Sequence, residues 1–244
     1  MSKSNHDLEL LEKEYFDQIC DTLVDDGQRM INWLNTKDDI KGDWISKFNR
    51  LDKLRKTGEL ARGAERVFYS LLSGRGWKPN SAPIGADMFF QNHNAYIHID
   101  IKTARKDNVS DFMGLVPISK NQTSYKATAS NRGTPITTSP NLPFYYNFNG
   151  LPCLTYVIQL IYDHSTLKTL AVLLIAIPNG QLYSVYGNSI ANNGKSKNES
   201  FRYSYKNNPN FELINGKPKR VKFLYFDNTS PLSKEQITKR NDII

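Results

Sequence analysis

Apolar residues recur at helical spacing through residues 7–33, with Leu8, Leu11, Tyr15, Ile19 and Leu23 on one face and acidic residues between them. A weaker version of the spacing runs through residues 43–54. Residues 58–72 make a third helical stretch, closed by Gly74 and Gly76, where helices commonly stop. Residues 1–57 therefore read as a helical segment that packs on the rest of the chain or makes a dimer contact. After Pro79 the period shortens to that of strands. Strands are expected at residues 83–90 and 95–103, joined by a polar turn at 91–94, and then at 154–162, 169–177, 181–186 and 221–226. Pro178, Asn179 and Gly180 predict a tight turn between 169–177 and 181–186. A helix, a hairpin and further strands make an α/β fold with a mixed central sheet flanked by helices, its core spanning residues 58–244. Two long polar segments, 119–150 and 187–211, show no regular pattern, and loops of that length in a compact domain usually carry function.

The 244 residues suffice for one such domain with a substantial core. The formal net charge is +8, and its distribution is informative. Residues 1–60 carry ten Lys/Arg against thirteen Asp/Glu, a net of −3, which leaves +11 on residues 61–244. Between Asp111 and Glu199 the only carboxylate is Asp163, against Lys120, Lys126, Arg132, Lys168, Lys195 and Lys197. Such a stretch, rich also in Asn, Ser, Thr and Tyr, suits contact with phosphates and base edges. The apolar runs at 154–162 and 170–178 are too short to span a bilayer, so no membrane association is expected. The acidic start MSKSNHDLELLEKE lacks the apolar core of a signal peptide, which predicts a cytoplasmic protein. The Asn-x-Ser/Thr triplets at Asn108, Asn121, Asn198 and Asn228 then read as chance matches, and Cys20 and Cys153 as reduced thiols.

Chemistry concentrates where the strands begin. From Ala95 to Lys102 the chain alternates, so Ile97, Ile99 and Ile101 share one face while His98, Asp100 and Lys102 share the other, with Asp100 and Lys102 roughly 7 Å apart at Cα. A four-residue loop at 91–94 would set Phe90 against Ala95 and Asp87 against His98, bringing Asp87 onto the face of Asp100 and Lys102. Two carboxylates on adjacent strands suit a hard divalent cation, with Mg²⁺ the natural occupant. A lysine beside them can position or deprotonate a metal-bound water and neutralise charge on a phosphate under attack. Glu65 falls on the apolar side of its helix with Ala61, Phe68 and Leu72; it either joins this site or pairs with Arg62 or Arg66 at the rim. For His98 a hydrogen-bonded structural role is commoner than a catalytic one.

Other signals are weaker. Gly187 and Gly194-Lys195-Ser196 are spaced too widely for a phosphate-binding loop, so no nucleotide cofactor is expected. No Gly-x-Ser-x-Gly elbow is present, and His6, His93, His98 and His164 lack metal-site spacing. The mixed cationic and aromatic segments 201–206 and 217–222 nominate Arg202, Tyr203, Lys206, Lys219 and Arg220 as DNA contacts. Lys120, Gln122, Lys126, Asn131, Arg132, Lys195 and Lys197 have the donors and acceptors to read or grip DNA from the two polar segments.

The order Glu65 on a helix, Asp87 in Gly85-Ala-Asp-Met, then Asp100-Ile-Lys102 on an apolar strand resembles the PD-(D/E)xK nuclease core of type II restriction endonucleases. Ala86 replaces the proline that gives the motif its name, at a position that varies among such enzymes. The resemblance implies a restriction-endonuclease-like fold, Mg²⁺ on Asp87 and Asp100, Lys102 acting on the attacking water and Glu65 as an accessory acid. It also implies a homodimer that cuts both strands of double-stranded DNA at a short palindrome, because two-fold protein symmetry matches two-fold sequence symmetry. The competing expectations are a structure-selective repair or junction-resolving nuclease on the same core, and a DNA-binding module without catalysis.

Overall fold

The computed structural model describes residues 3–36, 57–73, 78–79, 85–146 and 150–243. The helical expectation for residues 43–54, the stops at Gly74 and Gly76, and the first residues of the strand expected at 83–90 lie outside these. Three helices come first: α1 (Asn5–Asp25), α2 (Gly27–Thr36) and α3 (Thr57–Ser73). Strands follow in chain order as β1 (Lys78–Pro79), β2 (Met88–Gln91), β3 (Tyr96–Arg105), β4 (Leu115–Ser119), β5 (Ala127–Asn131) and β6 (Thr134–Thr138). They continue as β7 (Tyr145–Tyr146), β8 (Leu151–Tyr162), β9 (Thr169–Ile177), β10 (Ala191–Asn193), β11 (Ser200–Ser204) and β12 (Val221–Phe226). Two short helices, α4 (Tyr183–Tyr186) and α5 (Lys234–Thr238), and 3₁₀ turns at Val109–Asp111, Lys120–Gln122 and Gly180–Leu182 complete the described elements.

The central sheet runs β1-β2-β3-β8-β9-β12, with β7 beside β8. Among the described residues only β3 and β8 pair in parallel; the other neighbours are antiparallel. This is the expected mixed sheet. β8 and β9 are buried almost throughout, as central strands covered on both faces should be, and this explains their continuous apolar runs. A second sheet, β10-β11-β4, and a separate hairpin, β5-β6, occupy the two polar segments. Those segments are therefore not irregular loops. Their strands escaped detection because the buried positions of β5, β6 and β11 are filled by Ala127, Ala129, Thr138, Phe201, Tyr203 and Ser204 instead of branched aliphatic residues.

Residues 7–33 form two helices, since Asp26 ends α1 with its N–H bonded to the Val24 carbonyl. Leu8, Leu11, Tyr15, Ile19 and Leu23 of α1 enter the same apolar core as the central strands. Residues 181–186 are not a strand. Asn179 accepts from the Gln181 N–H and donates to the carbonyls of Phe144 and Cys153, which starts a 3₁₀ turn at Gly180–Leu182 and then α4. A side chain at 180 would strike Ser124 and Phe144, so glycine is required there by close approach. β12 instead takes the place beside β9. Among the described residues no helix is long and apolar enough to cross a membrane, and Cys20 and Cys153 are buried and free.

Arg220, nominated for DNA contact, is fully buried. Its guanidinium bonds Glu9 at 2.9 Å and Glu12 at 2.6 Å, both on the inward face of α1, and stacks 4.1 Å from the centre of the Phe211 ring. Burial raises the Glu12 carboxyl above its ordinary range, which the facing guanidinium opposes. Glu9 also accepts the backbone N–H groups of Glu212 and Leu213, so the cluster ties the first helix to the last third of the chain. Arg220→Ala would leave two buried carboxylates unpaired and is expected to cost about 3–5 kcal/mol in urea unfolding; an unchanged midpoint would contradict this anchoring role.

Candidate active site

The β2–β3 hairpin sets the site. Gln91 pairs with Tyr96 and Met88 with Ile99, and the loop between them closes with the Asn92 N–H on the Ala95 carbonyl at 2.9 Å. The loop thus lies one residue later than expected, at 92–95, and Asp87 faces Asp100 instead of His98 when the register is continued by one pair. Because the partner shifts by two positions, the face is unchanged, and Asp87 joins Asp100 and Lys102. Asp87 is exposed, and its Oδ2 accepts from the Ile101 N–H at 2.7 Å. That bond fastens the end of β2 to the strand carrying its partner carboxylate.

Asp100 is 2% exposed. Its Oδ1 accepts from the Gln122 amide at 2.7 Å, and its Oδ2 meets the Lys102 ammonium in an ion pair. Burial pushes the Asp100 carboxyl up to about 7; Lys102 opposes the shift and the neighbouring Asp87 carboxylate adds to it. Buried oxygen, like charge alongside and a single ammonium make a place where a divalent cation is electrostatically favoured. The donors are hard carboxylate oxygens, which suits Mg²⁺. Among the described residues no group of three or more His, Cys, Asp or Glu gathers as a metal cage.

His98 lies on the same strand face but is buried, with Nε2 2.8 Å from the Tyr146 hydroxyl and its ring 4.6 Å from Phe89. Burial lowers it to about 4, so it is neutral and structural. Glu65 is half-buried on α3, where Ala64, Val67, Phe68, Leu71 and Leu72 are buried, and α3 packs on β3.

The candidates for DNA contact lie in different surroundings. Tyr203 and Arg220 are buried, because their segments form inner parts of the fold, and they cannot present side chains to DNA from there. Gln122 is turned inward onto Asp100, a placement that sequence reasoning missed although Ser119-x-x-Gln122 carries a capping-box signature. Several cations already have acidic partners: Lys120 with Glu199, Lys195 and Arg202 with Asp111, and Lys219 with Asp242. Lys206 is half-buried, whereas Lys126 is exposed. Asn131, Arg132 and Lys197 come together around one surface depression at the β5–β6 turn, where Arg132 and Gly133 both have positive φ, as a two-residue hairpin turn demands.

The sequence matches the family described as type II restriction enzyme MwoI, N-terminal domain, over residues 5–166, and the central domain of the same enzyme over residues 169–226. No curated protein matches the chain. Among solved structures, the fold is similar to the restriction endonuclease BglI bound to its DNA recognition sequence, with a TM-score of 0.65, 16% identity and coverage of 87% of this chain and 89% of that one. It is also similar to tetrameric restriction endonuclease SfiI bound to cognate DNA, with a TM-score of 0.69, 14% identity and coverage of 94% and 88%.

The Asp100 shift has a consequence for stability. A carboxyl raised in the folded state binds more protons there than in the unfolded chain, so its contribution is present below pH 4 and is lost as pH rises through about 7. In metal-free buffer, the wild type is expected to lose on the order of 2–4 kcal/mol relative to Asp100→Asn between pH 4 and 8. Parallel stability curves from denaturant titration across that range would show that Asp100 carries no such strain.

Proposed function

Because the chain belongs to the family of the type II restriction enzyme MwoI, we propose that it hydrolyses phosphodiester bonds of double-stranded DNA at a specific short, palindromic sequence, using Mg²⁺. The observation that carries this reading is the pairing of Asp87 with Asp100 beside Lys102 on one face of the β2–β3 hairpin. Asp87 and Asp100 are the residues that would hold the metal. When bound, Mg²⁺ supplies a lowered pKa for an attacking water and neutralisation of phosphate charge. Lys102 is partly exposed, at 23% of its side chain, and so reaches both the buried Asp100 and the space before it. From there its ammonium can orient the attacking water and donate to the phosphate oxygens as charge grows on them. Glu65 is assigned as an accessory acid from α3.

The DNA lies across this face in the proposal, with Lys126, Asn131, Arg132 and Lys197 as the contacts from β5–β6 and the β10–β11 connection, and the paired cations Lys120, Lys195, Arg202 and Lys219 with the half-buried Lys206 around them. A β-ribbon such as β5–β6 has the width to enter a major groove. Cutting both strands of a palindrome calls for two copies of the site, so a homodimer is part of the proposal.

Digestion of unmethylated phage DNA with and without Mg²⁺, beside Asp100→Ala and Lys102→Ala, tests it. Discrete fragments that require Mg²⁺, with activity reduced about 10³-fold or more in both variants, are expected. A smear would indicate a nuclease without sequence recognition, and intact DNA with retained binding a non-catalytic module.

A further inference from the structure

We infer that Gln122 is a positioning residue for the reaction: it holds the Asp100 carboxylate in the orientation that the metal and the attacking water require. This deepens the proposed function and rests on it. The amide cannot be turned either way. Its Oε1 accepts from the Ser119 N–H at 2.8 Å, which obliges its Nε2 to point at Asp100 Oδ1, 2.7 Å away. With Oδ1 held by this neutral donor, Oδ2 is left to Lys102, so the two carboxylate oxygens have different tasks.

The turn that carries Gln122 is itself anchored on both sides. The Lys120 N–H bonds the Glu199 carbonyl at 2.9 Å next to β11, the Lys120 carbonyl accepts from the Asn141 N–H at 2.8 Å, and the Asn121 and Asn141 side chains bond each other. Its inner side abuts Gly85, whose positive φ of 104° and lack of Cβ let the Asn121 backbone approach the segment leading to Asp87. A side chain fixed this firmly can orient a metal-ligating carboxylate. Partners of metal ligands commonly change metal affinity or activity about 10–100-fold when removed.

The test compares wild type, Gln122→Met and Ser119→Ala in three measurements: Mn²⁺ binding by electron paramagnetic resonance, DNA binding in metal-free buffer, and kcat against KM for a cognate duplex. Gln122→Met should bind Mn²⁺ and turn over at least about tenfold less well, with metal-free DNA binding and KM within about twofold of wild type. Ser119→Ala, which loosens the turn but keeps the amide on Asp100, should stay close to wild type in all three. Equal losses in both variants, or wild-type Mn²⁺ affinity and kcat in Gln122→Met, would overturn the role. Should Gln122→Met fail to fold by circular dichroism, Gln122→Glu keeps the acceptor for Ser119 and removes the donor to Asp100; wild-type values there would overturn it equally. A wild-type protein that neither takes up Mn²⁺ nor cuts DNA would instead overturn the nuclease reading, and the Gln122 role with it.

Discussion

Asp100 carries a carboxylate into a position that is almost closed to water, where a charge costs several kcal/mol unless it is met by donors and counter-charge. The surrounding residues are arranged around that cost. Lys102 supplies counter-charge from two residues along the same strand, Gln122 supplies a neutral donor from a separate turn, and Asp87 adds a second negative charge that raises the cost again. Two carboxylates with one ammonium leave an excess of negative charge that a divalent cation would offset, and in the proposed function this links the burial of Asp100 to catalysis.

The rest of the architecture keeps that arrangement in place. β3 is held by β2 in antiparallel register along Tyr96–Ile99 and by β8 in parallel register along its whole length, which sets Asp100 against Val157 and Lys102 against Gln159. Gln159 of β8, paired in register with Lys102, donates to the carbonyls of Asp111 and Leu115 and so fixes where β4 begins. β4 leads into the turn bearing Gln122 and pairs with β11 in the second sheet. Surface segments suited to contacting DNA and the carboxylates suited to cutting it are thereby parts of one hydrogen-bonded framework.

Much of this was legible in the sequence, for identifiable reasons. Alternation along residues 95–102 is a period-two signal that survives any small error in the turn, so the shared face of Asp87, Asp100 and Lys102 was correct although the register was displaced. The continuous apolar runs of β8 and β9 were equally plain. Hidden were features that depend on distant partners. Arg220 looked like part of a basic surface because Glu9 and Glu12 lie more than two hundred residues earlier. β10 is the half-buried Ala191-Asn-Asn193 and β11 buries Phe201, Tyr203 and Ser204, which mimic a loop in composition, and residues 181–186 have strand-like residues but a start fixed by the Asn179 side chain. Gln122 was noticed for its donors, whereas the donor's target could only come from the fold.

The most direct test of the account is a crystal structure of the protein with a cognate duplex and Ca²⁺ in place of Mg²⁺, which holds the complex before cleavage. The account predicts a cation between Asp87 and Asp100, with the scissile phosphate beside the Lys102 ammonium. A duplex bound with its phosphates away from this face, or a cation held by other residues, would contradict it.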